Sequence, residues 1–134
     1  MPVSKELVIQ MENQPGTLAN CCNALADQNV NILAFLSIPA QGNSVVRMVV
    51  DNPAGAKKAL DGANLSYTEN EVAQVMLANR PGELGRAASQ LAEANINIEH
   101  TYSGVDRTSS PVVFFGVKDV NKAVAILDKI AKAA

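Results

Sequence analysis

Asn13-Gln14-Pro15-Gly16-Thr17-Leu18 returns as Asn79-Arg80-Pro81-Gly82-Glu83-Leu84, and Asn29-Val30-Asn31-Ile32 returns as Asn95-Ile96-Asn97-Ile98. The offset is 66 in both cases (13 to 79, 29 to 95). Two motifs held at one spacing make the chain a tandem repeat. The period is too long for a solenoid unit and suits a small α/β unit. The repeat places a first unit at residues 1–70 and a second at 71–134. Whatever these asparagines and glycines do is expected at two related places.

Working outward from the first motif, Glu6 to Met11 alternates Leu7, Ile9 and Met11 with Val8 and Gln10, a strand pattern. Leu18, Cys22, Leu25 and Ala26 fall at helical spacing, so Pro15 to Gln28 reads as a helix with Pro in its first turn, ended by Asn29. Val30 to Ile38 and Ser44 to Val50 read as strands around a turn at Gln41-Gly42-Asn43. Asp51-Asn52-Pro53 opens a helix from Ala54 to Leu60, which Asp61-Gly62 stops, and Leu65 to Thr68 is a short fourth strand. The second half repeats this order with strands Val72 to Ala78, Ile96 to Ser103 and Val112 to Val117, and helices Gly82 to Ala94 and Val120 to Ala131. It lacks a clear fourth strand. The expected fold is α+β: two ferredoxin-like βαββαβ units side by side, with an antiparallel sheet and helices on one face.

Ile32-Leu33-Ala34-Phe35-Leu36 and Val112-Val113-Phe114-Phe115 do not alternate with polar residues. A strand apolar on both sides is buried on both sides, and helices cover only one. The second face is therefore expected to lie against another chain, most simply a second copy, which makes the protein a homodimer.

Composition narrows the function. The 134 residues are 48% hydrophobic and 18% charged, with a formal net charge of −2. A lone unit near 65 residues would be marginally stable, so the halves are expected to pack together. The acidic balance disfavours nucleic acid and anionic membrane as partners. No apolar run approaches a signal or membrane span, and cytoplasm is the expected compartment. Cys21 and Cys22 are the only cysteines; adjacent thiols make poor bridges, and no acid or histidine stands near them at metal spacing. At least one is expected in the core. No metal site and no cofactor is called for.

The turn Asn13-x-Pro-Gly-x-Leu sits between a strand end and a helix start. Gly16 would let backbone approach a small ligand, and the free N–H groups of a first helical turn favour a carboxylate. Asn13 can both donate and accept, so it suits either end of a zwitterion. The plainer reading is a helix start in which Asn13 caps and Pro15-Gly16 shapes the turn. Repetition, with Asn31 and Asn97 each at a strand start, favours a ligand.

Taken together, these residues resemble the ACT domain, a small-molecule-binding regulatory module, in a tandem, free-standing form. The resemblance spans about Glu6 to Leu127. It implies two units joined through their second strands into one eight-stranded sheet. It also implies amino acids held by the turn of one unit and the second strand of the other. Carried over by residue, one site would use Asn13, Gln14, Pro15, Gly16, Thr17 and Leu18 with Asn97 and Ile98. The other would use Asn79, Arg80, Pro81, Gly82, Glu83 and Leu84 with Asn31 and Ile32. Some members place a histidine two residues before the motif asparagine; Met11 and Leu77 stand there and point to a more apolar pocket. The mismatches Gln14 against Arg80 and Thr17 against Glu83 make the two sites unequal.

His100, the only histidine, is expected on one face with Ile98 and Tyr102, as a partly buried polar residue or a ligand contact. One histidine, no Gly-x-Ser-x-Gly, no Walker-type loop and no metal cluster leave no catalytic residues to name. An RNA-recognition module shares the ferredoxin-like fold but calls for basic charge and more aromatics. The expected function is an amino-acid-binding regulatory or sensor protein, not an enzyme. The rival is a non-catalytic subunit that docks on an amino-acid biosynthetic enzyme such as acetolactate synthase.

Overall fold

The computed structural model describes residues 3–133. The elements run β1 (Val3–Glu12), α1 (Thr17–Asp27), β2 (Ile32–Ala40), β3 (Asn43–Val50), α2 (Pro53–Gly62), β4 (Ser66–Val75), α3 (Glu83–Glu93), β5 (His100–Val105), β6 (Pro111–Gly116) and α4 (Val120–Ala133). They form two compact units: Lys5–Asn70, and the chain from Glu71 onward joined by Val3 and Ser4. The chain ends at residues 1 and 134, where the two expected units begin and finish, lie outside the described residues.

In the first unit β3 pairs antiparallel with both β1 and β2. Its two helices cover one sheet face. Leu7, Ile9 and Met11 from β1, with Val46, Met48 and Val50 from β3, pack on Cys21 and Leu25 of α1 and on Ala56, Ala59 and Leu60 of α2. The second unit repeats the plan, with β6 pairing antiparallel to β4 and β5. There Ala73, Val75, Phe115 and Val117 pack on Ala87 and Leu91 of α3 and on Ala123, Leu127 and Ile130 of α4. The period-2 strand and period-3.6 helix patterns thus meet on one face of each sheet.

Several expectations are corrected. The strands expected at 65–68 and 72–78 are one strand, β4. Thr68-Glu69-Asn70-Glu71 contains no Gly or Pro to turn the chain, so the backbone stays extended. The seven strands read along the sequence are therefore six among the described residues, against the eight that the resemblance implies. β4 stops at Val75, paired with Val113, because Pro111 further along β6 has no N–H to offer. Val3 and Ser4 group with the second unit, where the Ser4 hydroxyl donates to Oε1 of Gln74. β5 begins at His100, opposite Gly116, so Ile96 to Ile98 precede it. Ile98 accordingly packs with the helix-side cluster and does not share a face with His100 and Tyr102.

On the sheet face turned away from the helices, Glu6, Ala34 and Val49 of the first unit and Val72, Val112 and Phe114 of the second are buried. Glu6 is wholly buried and paired with Arg47 at 2.9 Å, which lets a carboxylate stay on this face.

His100 stacks on Tyr102, and Tyr102 on Phe114, with centroids 6.0 and 5.6 Å apart. The imidazole lies directly over Gly116, where any Cβ would fall inside the ring. A Gly116→Ala variant should lose about 1–3 kcal/mol of stability in urea unfolding. Adding His100→Ala should recover part of that loss.

Cys21 is fully buried, and both cysteines are free thiols. Burial, with a smaller contribution from Cys22, pushes the Cys21 thiol up to about 11; burial also raises Cys22. Alkylation at pH 8 followed by mass spectrometry should modify the half-buried Cys22 first, and Cys21 only with unfolding.

Candidate functional site

Both repeated motifs serve as ends of the crossover helices. Gly16 and Gly82 are the N-cap residues of α1 and α3, at φ 91° and 87°, a left-handed conformation that favours glycine. Neither cap has a side-chain hydrogen bond, so Asn13 does not cap α1. Pro15 precedes the N-cap, and the helix starts at Thr17, two residues later than the spacing predicts. The proline and glycine turn the chain out of the strand, and the first helical N–H of each, Thr17 and Glu83, makes a long contact of 3.4 Å with the turn carbonyl of Gln14 or Arg80.

Asn29 and Asn95 close the same helices. Both are left-handed, at φ 57° and 61°. The Val30 N–H reaches the Leu25 carbonyl at 3.0 Å and the Ile96 N–H reaches Leu91 at 2.9 Å, the Schellman pattern with its apolar contact. α2 runs to Gly62, two residues past the expected Leu60, and is closed likewise by a left-handed Asn64 (φ 58°). The first asparagine of each Asn-x-Asn thus has a backbone role, which Asn31 and Asn97, also exposed, do not share.

Asn31 is pinned through its backbone: its N–H donates to Asp51 Oδ1 at 2.9 Å and its carbonyl accepts from the Asp51 N–H at 3.0 Å. It stands at the start of β2, whereas the turn Asn13 to Leu18 lies beyond Glu12, which pairs with Asn43 at the far end of β3. Along β2 the two are separated by about 30 Å at ~3.3 Å per residue. Within one unit, the turn and the Asn-x-Asn segment do not meet. Asn97 and Ile98 likewise lie before β5, away from the Asn79 turn.

In the second unit the turn lines a concavity of about 470 Å³. Asn79, Arg80, Glu83 and Leu84 face Ser103, Gly104 and Val105 across it, over a floor that includes Leu77 and Val113. The β5–β6 connection forming its rim is held by Asp106, whose carboxylate accepts from the Thr108 and Ser110 N–H groups at 2.8 and 3.0 Å. The Thr108 hydroxyl bonds hold that carboxyl below its usual range, helped by the backbone donors. A smaller cavity, about 370 Å³, lies in the first unit beside Thr17 and Asn20. Met11, like Leu77, lines its unit's cavity, so both positions that some relatives give to histidine are apolar wall.

The two turns diverge most in charge. Glu83 is buried and bridges two arginines, Arg80 Nε at 3.3 Å and Arg86 at 3.1 Å. The first unit has Gln14, Thr17 and Asn20 at the matching positions. Thr17 donates its hydroxyl to the backbone carbonyls of Glu12 and Gln14. Arg86 was not anticipated, although Glu83 and Arg86 stand at the i, i+3 spacing that pairs charges on a helix. Nor were Ser103 to Val105, which adjoin the turn only once β5 and β6 have paired.

Comparison with known proteins identifies this architecture. The sequence profile of the ACT domain pair matches residues 1–133. The chain belongs to that family. ACT domains are regulatory modules for small amino-acid ligands. A solved protein from Bacteroides thetaiotaomicron is 26% identical, with a TM-score of 0.84, over 95% of this ACT pair and 88% of its own chain. The regulatory subunit of aspartate kinase from Thermus thermophilus shares the fold at 19% identity, TM-score 0.67, over 98% and 92% of the two chains. That from Thermus flavus does so at 18% identity, TM-score 0.61, over 97% and 93%. No curated protein matches the sequence. Among the described residues, no helix is long and apolar enough to cross a membrane.

The Glu83 cluster predicts an acid limb in the pair's stability. Its hydrogen bond from Arg86, then Arg80, holds the Glu83 carboxyl below its ordinary 4.5. The unfolded chain therefore takes up this proton at higher pH than the folded one. The contribution is complete above about 4.5 and is lost as pH falls through the lower folded value. Melting curves from pH 7 to 3 should show a smaller acid-induced drop for Glu83→Gln than for wild type.

Proposed function

We propose that this ACT domain pair is an amino-acid sensor that regulates metabolism and has no catalytic activity of its own. The observation that carries this reading is the doubled turn. Each of α1 and α3 presents an N-terminus without a side-chain cap, behind a left-handed glycine with open space around it. Such a terminus favours the carboxylate of an amino acid, and Asn13 or Asn79 can meet its ammonium. The ligand is held by Asn13, Gln14, Pro15, Gly16, Thr17 and Leu18 with Asn97 and Ile98, and by Asn79, Arg80, Pro81, Gly82, Glu83 and Leu84 with Asn31 and Ile32. The turn and the Asn-x-Asn segment of one unit stand at opposite ends of its sheet, so no unit brings both halves of a site together by itself. The net charge of −2 supports a cytoplasmic protein that avoids nucleic acid and membrane.

A second reading, docking on an amino-acid biosynthetic enzyme such as acetolactate synthase, has its own support. Phe35 is 61% and Ile38 47% exposed on β2. Exposed apolar side chains of this size suit a protein partner or a second copy in a homodimer.

A melting screen of the pure protein against the twenty amino acids separates the readings. A sensor gains several degrees from one or a few of them, and Asn79→Ala or Asn13→Ala reduces the gain. A shift that neither substitution weakens would remove these residues from the site. A shift that appears only once a partner enzyme is added would favour docking. Sedimentation should return the mass of two chains.

A further inference from the structure

We infer that the groove between α3 and α4 of the second unit binds a phosphate group, at a site distinct from the Asn79 to Leu84 turn. This site is independent of the amino-acid-sensing reading above.

The groove holds about 440 Å³ and is lined by Arg86, Gln90 and Glu93 of α3 and by Ile126, Lys129 and Ile130 of α4. Arg86 Nη2 lies 3.5 Å from the Ile130 carbonyl, and Lys129 directly precedes Ile130. The two cations therefore flank the same end of the groove. Glu83 offsets part of the Arg86 charge, but it shares its carboxylate with Arg80. Glu93, the one acid lining the groove, stands seven residues further along α3, about 10 Å away at ~1.5 Å per residue. The end beside Arg86 and Lys129 thus keeps an excess of positive charge, although the chain carries a formal net charge of −2.

Arg86 also holds donor capacity that the fold does not use. Its Nη2 serves both Glu83 and the Ile130 carbonyl, while among the described residues its buried Nε has no hydrogen-bond partner. A buried donor without an acceptor is costly, and a small turn of the guanidinium toward a bound anion supplies one. Arg86, Lys129 and Gln90 approach from two helices, which suits the several oxygens of a phosphate better than the planar pair of a carboxylate. Ile126 and Ile130 offer apolar surface to the carbon part of a phosphate ester.

The first unit lacks these groups. Asn20 and Ala24 stand where α3 has Arg86 and Gln90. Counted from Pro53 and Val120, where α2 and α4 start, Gly62 and Ala63 match Lys129 and Ile130. There α2 ends, at 10 residues, whereas α4 continues to 14. The longer α4 provides one wall of the groove, a difference between the units in which the turns have no part.

Phosphate titration of the full chain at constant ionic strength, followed by amide NMR, tests this with wild type, Lys129→Gln, Arg86→Gln and the exposed control Lys58→Ala. Inorganic phosphate should move the amide signals of α3 and α4 saturably, and acetate should bind more weakly. Lys129→Gln and Arg86→Gln should each weaken phosphate binding about fivefold or more, and Lys58→Ala should leave it unchanged. Lys129 is exposed, so its variant keeps the fold even where the loss of Arg86 loosens the Glu83 cluster. No saturable shift, a response confined to the Asn79 to Leu84 turn, unchanged affinity in Lys129→Gln, or acetate binding as tightly as phosphate would each overturn the inference. Any melting gain from an amino acid at the turn should survive Lys129→Gln, so this inference and the sensing reading fail separately.

Discussion

Each unit depends on the burial of one sheet face under two helices. In the first, Ile9, Leu25 and Leu60 are wholly buried where β1, α1 and α2 meet; in the second, Phe115, Leu91 and Ala123 are. At about 25 cal/mol per Å² of apolar surface, these contacts are the main force that holds helix to sheet. They require each crossover helix to begin and end at set positions. Gly16 and Gly82 start those helices in a conformation that other residues adopt at a cost, and Asn29 and Asn95 end them in a related one. The repeated motifs are first of all the hardware of these crossovers.

Function is built on what that hardware leaves open. Both crossover helices start at a left-handed glycine and no side chain caps their N-termini. The turn that starts each helix is thus also the place proposed for a carboxylate ligand. The two turns diverge in the side chains. Arg80, Glu83 and Arg86 form a charged cluster on α3 where α1 has neutral groups, although the backbone of the two helix starts is nearly the same. The two copies share the frame and differ in their electrostatics.

Much of the fold was legible. The strand and helix periods, the hairpin at Gln41-Gly42 and the Asn52-Pro53 start of α2 all read directly, because each is a local rule with a local residue behind it. The membership of both cysteines followed the same logic, with Cys21 in the core. Less legible was the continuity of β4, since the run from Thr68 to Glu71 has no breaker but also no apolar alternation to declare a strand. The start of β5 depended on where Gly116 allowed pairing, a long-range fact. The two-sided burial of β6 was read correctly, since Phe114 and Phe115 on its alternate faces are both wholly buried.

By itself, then, the sequence determined the repeat, the α+β order and the residues that turn the chain, because glycine, proline and asparagine act through their own backbone preferences. Only the tertiary structure decided which side chains share a space. Glu83 meets Arg80 and Arg86 within one helix start, yet Val105 and Val113 come beside Arg80 and Glu83 only after β5 and β6 pair. Glu6 can be buried only because Arg47 arrives beside it from β3. Contacts between distant residues depend on register, and register is set by the packing of the whole sheet, which no local pattern contains.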